Sequence, residues 1–363
     1  MREIILGNFS SFVFYISVFS LSSILIYFGM IKKNKILKLI ALIIPIIVAT
    51  LRYGVGTDYF NYMRNFKLSY NINLKEYIYE NSILETGKFF INKIGQCFDS
   101  YLIVLLVSSS LVIIFIYISI IYHKNKISVS LSFYIFLCIY FPMSFNIMLQ
   151  YIAVALVAIS YRYIFEKNIF KFTLIILFAG FFHSTALMMF PIYFLWSKKN
   201  NDIVKNWKLI LSIIIMIFIA LNYQEILKVL SELSGMESYS IYVTDKYSGN
   251  NRDIYMKFLL FVGTLIFIKP LIRYDKRNKL YILFVIFNLI IGITGYTSPF
   301  VKRISIYLEV SQIFLIPCFV RICNNINIRK IVAYLVYIYP IMYFFLLYYL
   351  LGQANVVPYK FIL

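Results

Sequence analysis

The sequence predicts an all-α polytopic membrane protein with about 12 transmembrane helices and two long polar segments on the outward face. Three observations carry that expectation. Of the 363 residues, 62% are hydrophobic and 19% aromatic, and the mean hydropathy is +0.82. A water-soluble domain of this size needs far more polar surface. Apolar runs of spanning length recur along the whole chain, and they do not alternate apolar with polar residues as the strands of a membrane barrel would. The formal net charge of +20 does not point to nucleic acid, because the lysines and arginines are spread over short loops between spans, the pattern of cytoplasmic loops. Two histidines and four widely separated cysteines give no zinc spacing, so neither a metal nor a disulfide is expected. Arg2 and Glu3 leave no basic stretch ahead of the first apolar run, so no cleavable signal peptide is expected.

Taken in order, the first span covers about 11–30 and ends at Lys32-Lys33-Asn34-Lys35. The second, about 36–51, leads into the polar stretch from Arg52 to Arg64. Residues 52–99 form the first long polar segment, in which Leu74 to Lys93 suits an amphipathic helix at the interface with Tyr77, Leu84 and Ile91 toward lipid. Spans three to five cover about 101–122, 127–142 and 146–164, with a short turn at Pro142-Met143-Ser144. The apolar stretch of about 169–197 is long for one crossing and is interrupted by Gly180-Phe181-Phe182-His183-Ser184-Thr185. Two short spans meeting at His183 keep the basic clusters around Lys167 and Lys199 on one side, so two are expected. Span eight covers about 207–223, and the second polar segment, 224–256, carries Glu225, Glu232, Glu237, Asp245 and Asp253. Spans nine to twelve cover about 257–272, 280–295, 304–322 and 331–351. Alternation then places six basic loops in the cytoplasm and both termini outside, in a single transmembrane domain over residues 1–363.

This topology makes some cations informative. Arg52, Arg64, Lys302 and Arg303 fall on the outward face, where the positive-inside bias gives no reason for them. His183 falls there too, at the end of a broken helix. Ionisable groups at membrane depth are costly and are paired or functional. A guanidinium fork suits phosphate, so an outward pocket for an anionic headgroup is expected, with Tyr53, Tyr59, Tyr62 and Tyr296 available to stack on sugars. Interface anchoring is the plain alternative for Lys302 and Arg303.

Four stretches carry a resemblance: Arg52-Tyr-Gly-Val-Gly-Thr-Asp58-Tyr59-Phe-Asn-Tyr62, Phe145-Asn146-Ile-Met-Leu149-Gln150, Ala179-Gly-Phe-Phe-His183-Ser184-Thr-Ala186 and Arg303-Ile-Ser-Ile-Tyr307. In this order they resemble the EpsG/Wzy-type polysaccharide polymerases of bacterial capsule, exopolysaccharide and O-antigen synthesis. One departure is Leu149, where that family commonly has arginine. The resemblance implies a GT-C-like glycosyltransferase of the bacterial inner membrane. Its substrate would be an undecaprenyl-pyrophosphate-linked oligosaccharide, with no cofactor, membrane lipid around it and a chain-length regulator as a candidate partner. It adds Gln150 and Tyr307 to the candidate substrate-binding residues Arg52, Arg64, Lys302, Arg303, Tyr59 and Tyr62. His183 or Asp58 is the candidate base, both being able to titrate in a useful range, and Asp58 can otherwise hold Arg52 or Arg64 in place. The alternatives are an O-antigen ligase, a lipid-linked oligosaccharide flippase and a membrane acyltransferase. The last is disfavoured because no acidic residue lies close to His183 in sequence.

Overall fold

The computed structural model describes residues 3–81, 84–197, 202–203, 253–294 and 299–362. These form helices joined by short turns, with two antiparallel strand pairs: Glu3–Ile5 with Lys360–Ile362, and Trp196–Ser197 with Asp202–Ile203. This is an all-α polytopic membrane protein. Among the described residues five helices are long and apolar enough to cross a membrane: Asn8–Ile31, Tyr101–Tyr122, Met148–Phe165, Arg303–Arg321 and Ile326–Leu350. A sixth results if Ile254–Ile266 and Ile268–Tyr274, bent by 72°, make one broken span. Pro270 explains that break, since it has no N–H to return to the carbonyl of Ile266. The expected span at 207–223, the polar residues 224–252 and Tyr296 lie outside the described residues.

The chain divides into two compact units: Met1–Leu74, Gly87–Ala155 and Ile316–Leu363 in the first, Lys75–Thr86 and Leu156–Leu315 in the second. In the first unit, helix Lys35–Leu51 starts where Asn34 accepts the N–H groups of Ile36 and Leu37, at 2.8 and 3.2 Å. That is the cap a helix end emerging from lipid needs. Asn325 does the same for helix Ile326–Phe344. An aromatic core joins helix Asn8–Ile31 to helix Ile326–Phe344 and to Phe145: the Tyr15 ring lies 5.4 Å from Phe344 and 6.4 Å from Phe145. Residues Val129–Pro142 are buried on every side, which is why this run shows no amphipathic pattern. Its helix widens to π geometry at Phe136–Tyr140 before the 3-10 turn Pro142–Phe145.

The polar segment 52–99 departs from expectation. It holds three helices, Tyr59–Leu68, Leu74–Asn81 and Gly87–Cys97, and not one interfacial helix. Tyr77 and Ile91 are buried in protein, and Leu84 lies in the turn that separates the last two helices. The apolar stripe therefore covers neighbouring side chains, not lipid.

In the second unit, the stretch 169–197 folds back on itself. Asn168 caps helix Ile169–Phe182 through the Lys171 N–H, at 3.0 Å. His183 is extended (φ −155°, ψ 119°), and a 3-10 helix returns over Ser184–Leu195. The arms are antiparallel: a Cβ on Gly180 would lie 2.8 Å from Leu187, the tilted rings of Phe172 and Tyr193 lie 5.1 Å apart, and Lys167 Nζ donates to the Tyr193 carbonyl at 2.9 Å. A Cβ at Gly180 would oblige the Leu187 side chain to shift, so the glycine suits this close packing. Further along, Lys257 is buried between two carboxylates, Asp253 at 2.9 Å and Glu309 at 2.6 Å. This ties helix Ile254–Ile266 to helix Pro299–Glu309, and it removes Asp253 from the polar segment in which the sequence places it.

Candidate functional site

In the first unit the second and first motif stretches are built into each other. Helix Lys35–Leu51 ends at Arg52, which is extended and bridges Phe361; the Tyr53 N–H donates to the Lys360 carbonyl at 2.9 Å. The chain then turns through Gly54 (φ +62°) and Gly56 (φ +100°). Asn146 Oδ1 accepts the Thr57 hydroxyl, and the Asp58 N–H at 3.1 Å. The Phe145 carbonyl lies 2.5 Å from where a Cβ on Gly56 would stand. Gly56→Ala combines that backbone clash with a left-handed residue, a strain of about 1–2 kcal/mol before the clash is counted. The expected result is a lowered melting temperature of the purified protein and reduced membrane abundance. An unchanged melting temperature would show that the loop can lift off Phe145 without cost.

Arg52 is enclosed, with 2% exposure, and does not line an open pocket. Its guanidinium carbon lies 4.6 Å above the Phe145 ring, Nη1 donates to the Ala49 carbonyl, and Nη2 reaches Met148 Sδ at 4.0 Å. Tyr101, Tyr59, Tyr15 and Tyr359 are close enough to act on its charge. Among the described residues Nε has no partner and no carboxylate pairs with the guanidinium. A buried cation without a counter-ion is costly. Asp58 is half-buried at the start of helix Tyr59–Leu68, and Arg64 is exposed on that helix. Tyr59 is buried, with its ring edge-on to Tyr53 and Tyr101 at 5.8 and 5.5 Å, so its faces are taken by protein. Tyr62 is half-buried in the same helix. Gln150 is buried in helix Met148–Phe165, and Leu149 beside it is buried too, not lipid-facing.

In the second unit the third and fourth motif stretches meet. His183 sits in the turn between the arms, and its Nδ1 lies 2.7 Å from Thr185 Oγ1. Thr185 Oγ1 lies 2.9 Å from the Tyr307 hydroxyl, and the Tyr307 carbonyl accepts the Tyr161 hydroxyl. Arg303 lies one helical turn before Tyr307 in helix Pro299–Glu309 and is half-buried. Lys302 precedes it in that helix, with its side chain outside the described residues.

Glu85 completes this cluster. Its Oε1 accepts the Ser184 N–H at 3.2 Å and the Ser184 hydroxyl at 2.9 Å, capping the 3-10 arm. It holds a left-handed backbone (φ +68°), uncommon for a residue with a long side chain. Desolvation of the half-buried ring pushes the His183 pKa down to about 4, with the Glu85 charge opposing and Arg303 adding to the fall. The imidazole is therefore neutral at pH 7, the form that accepts a proton. The acid that the sequence lacks near His183 is supplied by the fold, from 99 positions before Ser184.

No curated protein and no solved structure matches the chain. The family model described as EpsG family matches residues 35–361, a span that takes in all four motif stretches; the chain belongs to the EpsG family, the EpsG/Wzy-type polysaccharide polymerases.

Proposed function

We propose that the protein transfers a growing glycan from undecaprenyl pyrophosphate to an incoming lipid-linked repeat unit, at the outer face of the bacterial cytoplasmic membrane. The observation that carries this reading is the placement of His183 at a helix break, its Nδ1 2.7 Å from Thr185 Oγ1 and the adjacent Ser184 bonded to the Glu85 carboxylate. His183 takes the proton of the acceptor hydroxyl. The freed oxygen attacks the anomeric carbon, the bond from that carbon to the pyrophosphate oxygen breaks, and its electron pair leaves with the pyrophosphate. The leaving group gains negative charge as the bond breaks, and a preorganised cation stabilises it there more than in the ground state. Arg303, half-buried beside His183, serves that role. In the first unit, Arg52 is a candidate source of positive potential for an anionic headgroup, and Asp58, Arg64, Tyr62 and Gln150 are further candidate substrate contacts there. The family assignment favours glycosyl transfer over acyl transfer, although Glu85 now gives His183 the acidic neighbour that an acyltransferase would use.

The test is lipid-linked glycan analysis in a deletion strain. Polymer should disappear and single repeat units should accumulate on the lipid carrier. Full-length polymer that fails only to be attached would identify a ligase instead, and repeat units trapped on the cytoplasmic side would identify a flippase.

A further inference from the structure

The hydrogen bonds around His183 bear on which ring nitrogen is the base. Nδ1 is engaged by Thr185 Oγ1 at 2.7 Å, and that oxygen also meets the Tyr307 hydroxyl at 2.9 Å. Among the described residues, Nε2 has no hydrogen-bond partner. Thr185 and Tyr307 are both buried, so water does not compete for these contacts. A hydroxyl has one proton and two lone pairs, which gives Thr185 two arrangements. If it donates to Nδ1, the proton of the neutral ring sits on Nε2, and Nε2 is a donor. If it accepts from Nδ1–H, its own proton and second lone pair remain for Tyr307, and Nε2 carries the free lone pair.

We infer that Thr185, backed by Tyr307, holds His183 as the Nδ1–H tautomer and so makes Nε2 the proton acceptor. Thr185 is thus a positioning residue. The inference rests on the reading of His183 as the base. It follows from what the ring must do during the reaction. When Nε2 takes the acceptor proton the ring becomes an imidazolium, and both nitrogens must then donate. A Thr185 oxygen that already accepts from Nδ1 needs no rearrangement at that moment, which is the advantage of a preorganised site. A Thr185 that donates would have to rotate its proton away first. The Glu85 carboxylate acts on the ring in the same sense, since its charge favours the protonated form.

Two measurements test this. The chain has only two histidines, so the imidazole nitrogen resonances of the 15N-histidine-labelled full-length protein are assigned by comparison with His183→Ala. At pH 7, Nδ1 of His183 should carry the proton and Nε2 should be bare; the opposite tautomer overturns the inference without any variant at Thr185 having to fold. The second measurement is polymerisation in membranes, with lipid-linked repeat units extracted from the deletion strain as substrate. Thr185→Val should lower kcat by about tenfold or more, within the range of general-base help, with KM within about twofold. Thr185→Ser should restore most of kcat. An unchanged kcat in Thr185→Val at normal abundance removes Thr185 from the mechanism and leaves the base reading standing. An unchanged kcat in His183→Ala removes the base reading itself.

Discussion

His183→Ala stops polymer formation while the protein stays at its normal level in the membrane, and single repeat units accumulate on the lipid carrier. The loss should be about 10²–10⁴ in rate, the usual worth of a positioned base. The expectation that abundance holds comes from the local structure. The hairpin closes through Gly180 against Leu187 and Phe172 against Tyr193, and the 3-10 arm is capped by Glu85 through Ser184. The imidazole carries none of these. The pH dependence follows from the shifted titration. A base works in its neutral form, and the His183 pKa is about 4. Activity should therefore hold as pH falls through 6.5, where an ordinary histidine is lost, and should fall only as pH approaches about 4. Glu85→Gln removes a charge that raises this pKa, so the acid limb should move lower still. Arg303→Ala removes one that lowers it, so the limb should move up. An acid limb at pH 6.5 in the wild type would mean that the titrating group is not this imidazole.

Arg52→Met separates stability from function. An enclosed guanidinium with no carboxylate among the described residues is a net cost to folding, and replacing buried charge with an apolar side chain of similar length is often neutral or stabilising. The variant should melt no lower than the wild type. If Arg52 supplies potential for an anionic substrate, polymer yield should nonetheless fall more than about tenfold, which is about 1.4 kcal/mol of lost stabilisation. Arg52→Lys keeps the charge but loses the planar contact with Phe145 and the bond to Ala49, so its loss should be smaller. Normal polymer length and yield from Arg52→Met would exclude Arg52 from the reaction. A large fall in melting temperature would show that it serves the fold instead.

Helix positions were legible where the chemistry is local. Helix Tyr101–Tyr122 is bounded by Ser100 and His123, and Asn34, Asn168 and Asn325 each end a polar loop at a helix start. The break at His183 was legible for the same reason, as polar residues and a glycine interrupt an apolar run. The orientation of an apolar stripe was not. Tyr77 and Ile91 fit a lipid-facing surface and a protein-facing one equally well, and packing alone decides between them. Nor was the enclosure of Arg52, because Phe145, Tyr101 and Tyr359 come from distant parts of the chain. Glu85 had no local signal at all: it reads as one more charge in a polar segment, and only the fold carries it to Ser184.

The strand pair Glu3–Ile5 with Lys360–Ile362, and the bridge from Arg52 to Phe361, fix the parity of the chain. An open two-stranded ribbon has unpaired edge groups and does not survive among lipid tails, so this ribbon lies beyond the hydrocarbon at one surface. Each stretch of chain between two points tied to it must leave that surface and return. The segment from Ile5 to Arg52 holds two helices, Asn8–Ile31 of spanning length and the shorter Lys35–Leu51 to bring the chain back, so the segment from Tyr53 to Lys360 is expected to cross an even number of times. Reporters fused ahead of the first strand and behind the last must therefore light up in the same compartment.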